Sequence, residues 1–181
     1  MHEDLYLIEE CKKKSNSAFE KLYNRYAQKM KGVACRYVGD MAKAEDVLHD
    51  SFVKVFEKIA TLKDNAIFEG WLRRIVVNEA IDSLKREKKL NEIINESGQL
   101  NSDSESDTGS AYEGISAKDL MEALNSLPAG YKTIFNMYVV DGYSHKEIAE
   151  RFTISEGTSK SQLSKAKEFL RKKLEVKLKV E

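Results

Sequence analysis

Three groups of side chains in the 181-residue chain have types and spacings suited to more than a folded core. The first is Trp71, Arg74, Asn78 and Asp82, which steps of three, four and four residues place on one helix face. Arg73, Lys85, Arg86, Lys88 and Lys89 surround or extend that face. An aromatic plate beside a basic ridge, with an amide able to pair with a base edge, is what single-stranded nucleic acid requires. Stacking on an aromatic typically contributes ~1–3 kcal/mol per base. The plainer reading is that Trp71 is core and the basic turns favour a helix dipole, and spacing alone leaves the two level.

The second group is Lys160, Ser161, Ser164 and Lys165. No acid lies between Gly157 and Lys167. Short hydroxyls permit close approach and lysines suit phosphates or guanine acceptors, as a helix entering a major groove needs. The third is an acidic stripe, Asp46, His49, Asp50, Val53 and Glu57, which composition alone reads as a solvated face. Catalysis has no foothold: the chain shows no nucleophile–base pair, phosphate-cradling glycine loop or metal-ligand spacing, so no cofactor is expected. His145 reads as a surface residue. Cys11 and Cys35 lack CxxC spacing and read as thiols in a reducing cytosol.

Helices must position these groups. One proline and nine glycines are too few for a strand-rich fold. Ser17-Ala18-Phe19-Glu20 fits a capping box for a helix ending near Gly39, with a stripe through Phe19, Leu22, Tyr26, Met30, Val33 and Tyr37. Asp40 caps a second helix that buries Ala44, Val47, Leu48, Phe52, Val55, Phe56 and Ile59. A third is predicted over 67–89, burying Phe68, Leu72, Ile75, Val76, Ala80 and Leu84, and a weaker one over 5–13 precedes them all. In the C-terminal part, Ser116 caps a short helix with Leu120, Ala123, Leu124 and Leu127. Pro128 takes a first-turn position of the next, whose stripe is Tyr131, Ile134, Phe135, Tyr138 and Val139. Ser144-His145-Lys146-Glu147 is a second capping box. It opens a helix burying Ile148, Ala149 and Phe152, a turn follows at Thr153-Ile154-Ser155, and a longer helix buries Ser159, Leu163, Ala166 and Leu170. That succession is a helix-turn-helix.

Thirty Lys and Arg balance thirty Asp and Glu, and a neutral chain is at first sight ill-suited to nucleic acid. The charge is unevenly placed. Residues 1–90 carry +3, residues 91–113 carry six acids and no base, and residues 114–181 carry +3. The middle segment is too polar to offset its ordering entropy and reads as a flexible linker, which as a coil spans ~25–30 Å. It is either a solvated spacer or a mimic of nucleic-acid charge. The expected fold class is all-α: two small helical domains, 1–90 and 114–181, joined by the linker 91–113. No apolar run reaches the roughly 20 residues of a membrane span, and Met-His-Glu-Asp does not open like a signal peptide, so a cytoplasmic protein without membrane insertion is expected.

Three motifs in this order resemble the extracytoplasmic-function group of bacterial sigma factors, within the sigma-70 family: AFEKLYNRYAQKMKGVACRYVGDMAKAEDVLHDSFVKVFEKI, FEGWLRRIVVNEAIDSLKRE and LPAGYKTIFNMYVVDGYSHKEIAERFTISEGTSKSQLSKAKEFLRKKL. The Ser-Lys-Ser-Gln-Leu form of the last helix is similar to members from Bacteroidota. The resemblance implies an RNA polymerase specificity subunit without catalysis of its own. It implies that Asp46, His49, Asp50 and Val53 dock on the polymerase clamp's coiled coil. Asn78, with Trp71 and Arg74, would read the minus-ten element. Leu62, Lys63, Asp64, Asn65 and Ala66 would form the loop that captures a flipped base, and Lys160, Ser161, Ser164 and Lys165 would contact the minus-thirty-five duplex. Implied partners are core RNA polymerase through clamp and flap, promoter DNA in duplex and single-stranded form, and an anti-sigma factor. The family pattern departs at His49, usually Gln, at Lys160 and Lys165, commonly Arg, and at Ser159, usually Val. A free-standing dimeric helix-turn-helix regulator is the alternative, which leaves the acidic stripe, the Trp71 face and the linker unexplained.

Overall fold

A computed structural model describes residues 2–86 and 116–178. Among the described residues the secondary structure is helical throughout, as expected. The chain divides into two compact units, Met1–Glu87 and Lys88–Glu181. The expected linker, 91–113, lies outside the described residues, as do Lys88 and Lys89.

The first unit holds α1 (His2–Lys12), α2 (Asn16–Val38), α3 (Met41–Lys58) and α4 (Phe68–Arg86). α2 packs against each of the others, and α3 against α4. Gly39 ends α2 at φ 71°, a conformation that favours glycine, and its N–H donates to the Cys35 carbonyl. Asp40 caps α3 by accepting from the Lys43 N–H at 2.9 Å. The expected apolar stripes meet in one core that includes Leu22, Met30, Val47, Phe52, Val55, Leu72 and Val76. Edge-on rings knit it: Phe19 meets Phe56 with centroids 5.0 Å apart, Tyr23 meets Phe52 at 4.8 Å and Tyr26 meets Phe68 at 5.4 Å.

Two boundaries differ from expectation. Ser15, not Ser17, caps α2, accepting from the Ala18 N–H. The reason lies one residue earlier: Lys14 takes a left-handed φ of 66°, turning the chain out of α1, so Ser15 is the first residue placed to cap. α4 begins at Phe68 rather than Ile67, because Asp64 caps a 3-10 turn, Asn65–Ile67, by accepting from the Ala66 N–H at 2.9 Å. α4 also buries more of its circumference than its stripe implied. Val77, Ile81 and the carboxylate of Glu79 are buried, whereas Ile75 and Leu84 are only half-buried.

The second unit holds α5 (Ala117–Asn125), α6 (Ala129–Phe135), α7 (His145–Phe152) and α8 (Glu156–Leu178). Ala123, Leu127, Ala166, Leu170 and Leu174 form a core cluster, with Tyr131 and Phe135 packed on it. Ser116 caps α5 as expected, but Leu120 stays exposed. Pro128 sits one residue outside α6, at its N-cap. The larger correction follows α6, which runs into a π-helical turn, Asn136–Val140. The wider turn rotates the register, so Asn136 and Met137 go inward while Tyr138 and Val139 face out. Asp141 and Gly142 then end the segment, with Gly142 at φ 72°.

The capping box at Ser144 is present in both halves: the Ser144 hydroxyl accepts from the Glu147 N–H, and the Glu147 carboxylate accepts from the Ser144 N–H. Thr153 ends α7 in the left-handed region at φ 56°. Ser155 then opens α8, accepting from the Thr158 N–H at 2.9 Å. Ile148, Ala149 and Phe152 of α7 and Ser159, Leu163, Ala166 and Leu170 of α8 are buried as expected.

Candidate nucleic-acid interface

α4 presents the first surface. Phe68, buried at the start of the helix, supports Trp71 with ring centroids 6.0 Å apart. Trp71 is therefore half-buried: one part rests on the core and another remains reachable. Arg74 is exposed one turn on, and Asn78 and Asp82 are half-buried beyond it. Four residues before Trp71, Ile67 is 57% exposed. Its step of four to Trp71 was visible in the sequence, which marked Ile67 only as the start of the helix. Behind this face, the buried Glu79 forms ion pairs with Lys54 of α3 and, at 3.1 Å, with Arg86. An acid set between Val76–Val77 and Ala80–Ile81 was the overlooked signal that a charge bridges helices here.

The loop ahead of α4 is not uniformly open. Leu62 is buried and anchors it, while Lys63, Asp64 and Ala66 are exposed. Asn65 is half-buried, and both ends of its amide are engaged by α1: Nδ2 donates to Glu9 at 2.6 Å and Oδ1 accepts from Lys12 at 2.7 Å. The Asn65 contact is the main reason the Glu9 carboxyl lies below its usual range, with Lys12 second. Nothing in the sequence pattern links positions 56 residues apart.

α3 turns its acidic stripe outward. Asp46, His49, Asp50, Val53 and Glu57 are all exposed, and Val53 stands 48% open among the charges. The helix buries its opposite side, so core packing fixes how this stripe is presented.

In the second unit, Lys160 and Ser164 of α8 are exposed and Ser161 and Lys165 half-buried, on the side away from Leu163, Ala166 and Leu170. The outward face is held by an unforeseen clasp. His145, read from sequence as a surface residue, is half-buried, with Nδ1 2.9 Å from the Ser159 hydroxyl. Its ring stacks on Tyr138 with centroids 4.3 Å apart. Burial first, then nearby Lys160, lowers its pKa, against an opposing pull from Glu156. The π turn causes this contact, since it swings Tyr138 out of the core and onto the imidazole.

The two units thus join an aromatic and basic helix face to a helix-turn-helix that presents lysines and hydroxyls, which is the layout of a nucleic-acid-binding protein. Residues 22–90 match the family description "Sigma-70 region 2", and residues 117–170 match "Sigma-70, region 4". The chain is 30% identical over 139 residues to the RNA polymerase sigma factor SigV of Bacillus subtilis, covering 77% of this chain and 80% of that protein. It is 27% identical over 186 residues to the ECF RNA polymerase sigma-E factor of Haemophilus influenzae, covering 95% of each. Among solved structures it shares the fold of the sigma factor RpoE of Bartonella quintana, with a TM-score of 0.51 at 22% identity, covering 87% of this chain and 97% of that one. The chain belongs to the sigma-70 family, in its extracytoplasmic-function (ECF) group. Its activity is that group's: directing core RNA polymerase to promoters and initiating transcription.

Proposed function

We propose that the first unit docks on the clamp coiled coil of core RNA polymerase and opens the minus-ten element, while the second places α8 in the minus-thirty-five major groove. The carrying observation is that the two matched regions present outward faces of the required chemistry, the Trp71–Arg74–Asn78 face and the Lys160–Ser161–Ser164–Lys165 face. Trp71 offers a stacking surface, Arg74 a cation for the strand and Asn78 an amide for a base edge. Lysines in α8 are point charges rather than planar forks, so guanine recognition there is less strict than with arginine. Asp46, Asp50 and Val53 supply a charged face with an apolar centre for the clamp.

Each unit alone binds DNA weakly, because one short helix makes few specific duplex contacts. Polymerase holds both and makes them act bivalently. The acidic segment 91–113, with six acids and no base, has a charge that suits basic channels of the enzyme. No step requires a metal or cofactor, and the protein works in the cytoplasm. An anti-sigma factor is a further proposed partner, and the solved chain of similar fold is itself held by the anti-sigma factor NepR. The Ser-Lys-Ser-Gln-Leu segment supports a Bacteroidota-like lineage.

Co-elution tests this arrangement. The chain should run as a monomer, join core polymerase in a one-to-one complex and bind duplex promoter tightly only in that complex. A stable dimer that binds duplex without polymerase would favour a free-standing regulator.

A further inference from the structure

We propose that Asn65 is a positioning residue, and that α1 sets the shape of the base-capturing loop through a clasp of Glu9, Asn65 and Lys12. This deepens the minus-ten reading above and rests on it. The clasp is a closed triangle: Asn65 Nδ2 donates to Glu9 at 2.6 Å, Lys12 donates to Asn65 Oδ1 at 2.7 Å, and Lys12 meets Glu9 at 3.0 Å. Both hydrogen-bonding ends of the amide are thereby engaged, so the Asn65 side chain holds the loop instead of reading a base.

The surroundings make α1 a firm anchor. Leu7, Ile8 and Cys11 are buried beneath it, and Lys12 itself is only 20% exposed. Just past the helix, Lys14 donates to the Phe56 carbonyl at 2.8 Å and lies over the Phe56 ring, tying the same corner to the last turn of α3. The loop between α3 and α4 is therefore held from both sides by the end of α1. The clasp fixes the 3-10 turn that Asp64 caps, in which the Phe68 N–H donates to the Asn65 carbonyl. Lys63, Ala66 and Ile67 are left as the outward surface for an extruded base. Captured bases repay an unstacking cost, and a loop already in shape adds no ordering cost to it.

The test compares Glu9→Ala, Glu9→Gln, Asn65→Ala and the double variant Glu9→Ala/Asn65→Ala in the full chain. Hydrogen exchange is read at the Ala66 and Phe68 amides of the free protein. Promoter opening is read by fluorescence of a non-template base in the holoenzyme, alongside core affinity. Each alanine variant should speed exchange about tenfold, as loss of a charge-assisted hydrogen bond allows, and slow opening by a similar factor with core affinity unchanged. The double variant should do no more than either single one, and Glu9→Gln, which keeps the acceptor, should fall between wild type and Glu9→Ala. Unchanged exchange would overturn the clasp. So would slow opening in Asn65→Ala with normal opening in Glu9→Ala, since Asn65 would then be reading the base. Failure of the wild-type holoenzyme to open any promoter would sink the sigma reading instead, and the exchange measurement would still decide the clasp.

Discussion

The imidazole of His145 and the hydroxyl of Ser159 lie 2.9 Å apart, joining the first turn of α7 to the buried side of α8. A polar pair therefore sits where two helices of a helix-turn-helix cross. Ser159 is completely buried, so its hydroxyl needs this partner. The pair adjoins Lys160 and Ser161, so in the proposed duplex contact the angle of those side chains depends on it. His145→Ala removes both the bond and the Tyr138 stack. The expected loss is about 1–2 kcal/mol of stability in the second unit, read by thermal unfolding. Affinity for the upstream duplex in the holoenzyme should fall as well.

The same imidazole makes that unit sensitive to acid. Its folded pKa is lowered by burial and by Lys160, with Lys167 adding to the effect and Glu156 opposing it. The unfolded chain therefore binds the proton more readily than the folded one. Stability is undiminished well above the ordinary histidine value of about 6.5 and falls as pH drops through that value toward the lower folded pKa. Unfolding curves between pH 8 and 5 should show the decline, and His145→Gln should flatten it. An identical slope in the variant would assign the decline to other groups.

Glu79 predicts an asymmetry. Its carboxylate is 4% exposed, while its partners Lys54 and Arg86 are 43% and 64% exposed. Lys54→Met leaves a buried charge with one fewer partner, at a cost of about 1–3 kcal/mol. Glu79→Leu removes the buried charge and leaves two cations that water can solvate, so the cost should be near zero. Urea midpoints of the two variants check the order.

The residues proposed to face DNA separate by readout. Asn78→Ala should slow promoter opening while core binding is kept; lost core affinity would make Asn78 structural. Lys165→Ala should weaken the upstream contact and make its salt dependence shallower by about one unit of log–log slope. An unchanged slope would mean that Lys165 does not touch phosphate.

Most helices were legible because their signals are local. Asp40, Gly39 and the Ser144–Glu147 box are caps set by a few neighbouring residues, and the α3 stripe repeats every turn. What escaped reading is long-range or a change of period. The π turn at 136–140 alters the residues per turn, so a stripe extrapolated through Tyr138 and Val139 landed on the wrong side. The bonds of Asn65 to Glu9 and of His145 to Ser159 join side chains that only folding brings together. Ser159 looked like a small loss of apolar core, yet its hydroxyl is half of a clasp. For the site, the pattern read the α3 stripe as a solvated face, and it is exposed, whereas in α8 Lys160 and Ser164 are exposed and Ser161 and Lys165 half-buried. It did not distinguish Leu62, which anchors its loop from within, from Lys63 and Ala66, which lie on its surface.

The central claim is that this chain confers promoter choice on core polymerase. Its most direct test is transcription from a genomic fragment library by purified core enzyme with and without the chain, reading the 5′ ends of the transcripts. The account predicts a discrete set of start sites that appear only with the chain and share spaced minus-thirty-five and minus-ten elements. Lys160→Ala and Lys165→Ala should weaken those starts. Identical transcripts in both reactions would contradict it.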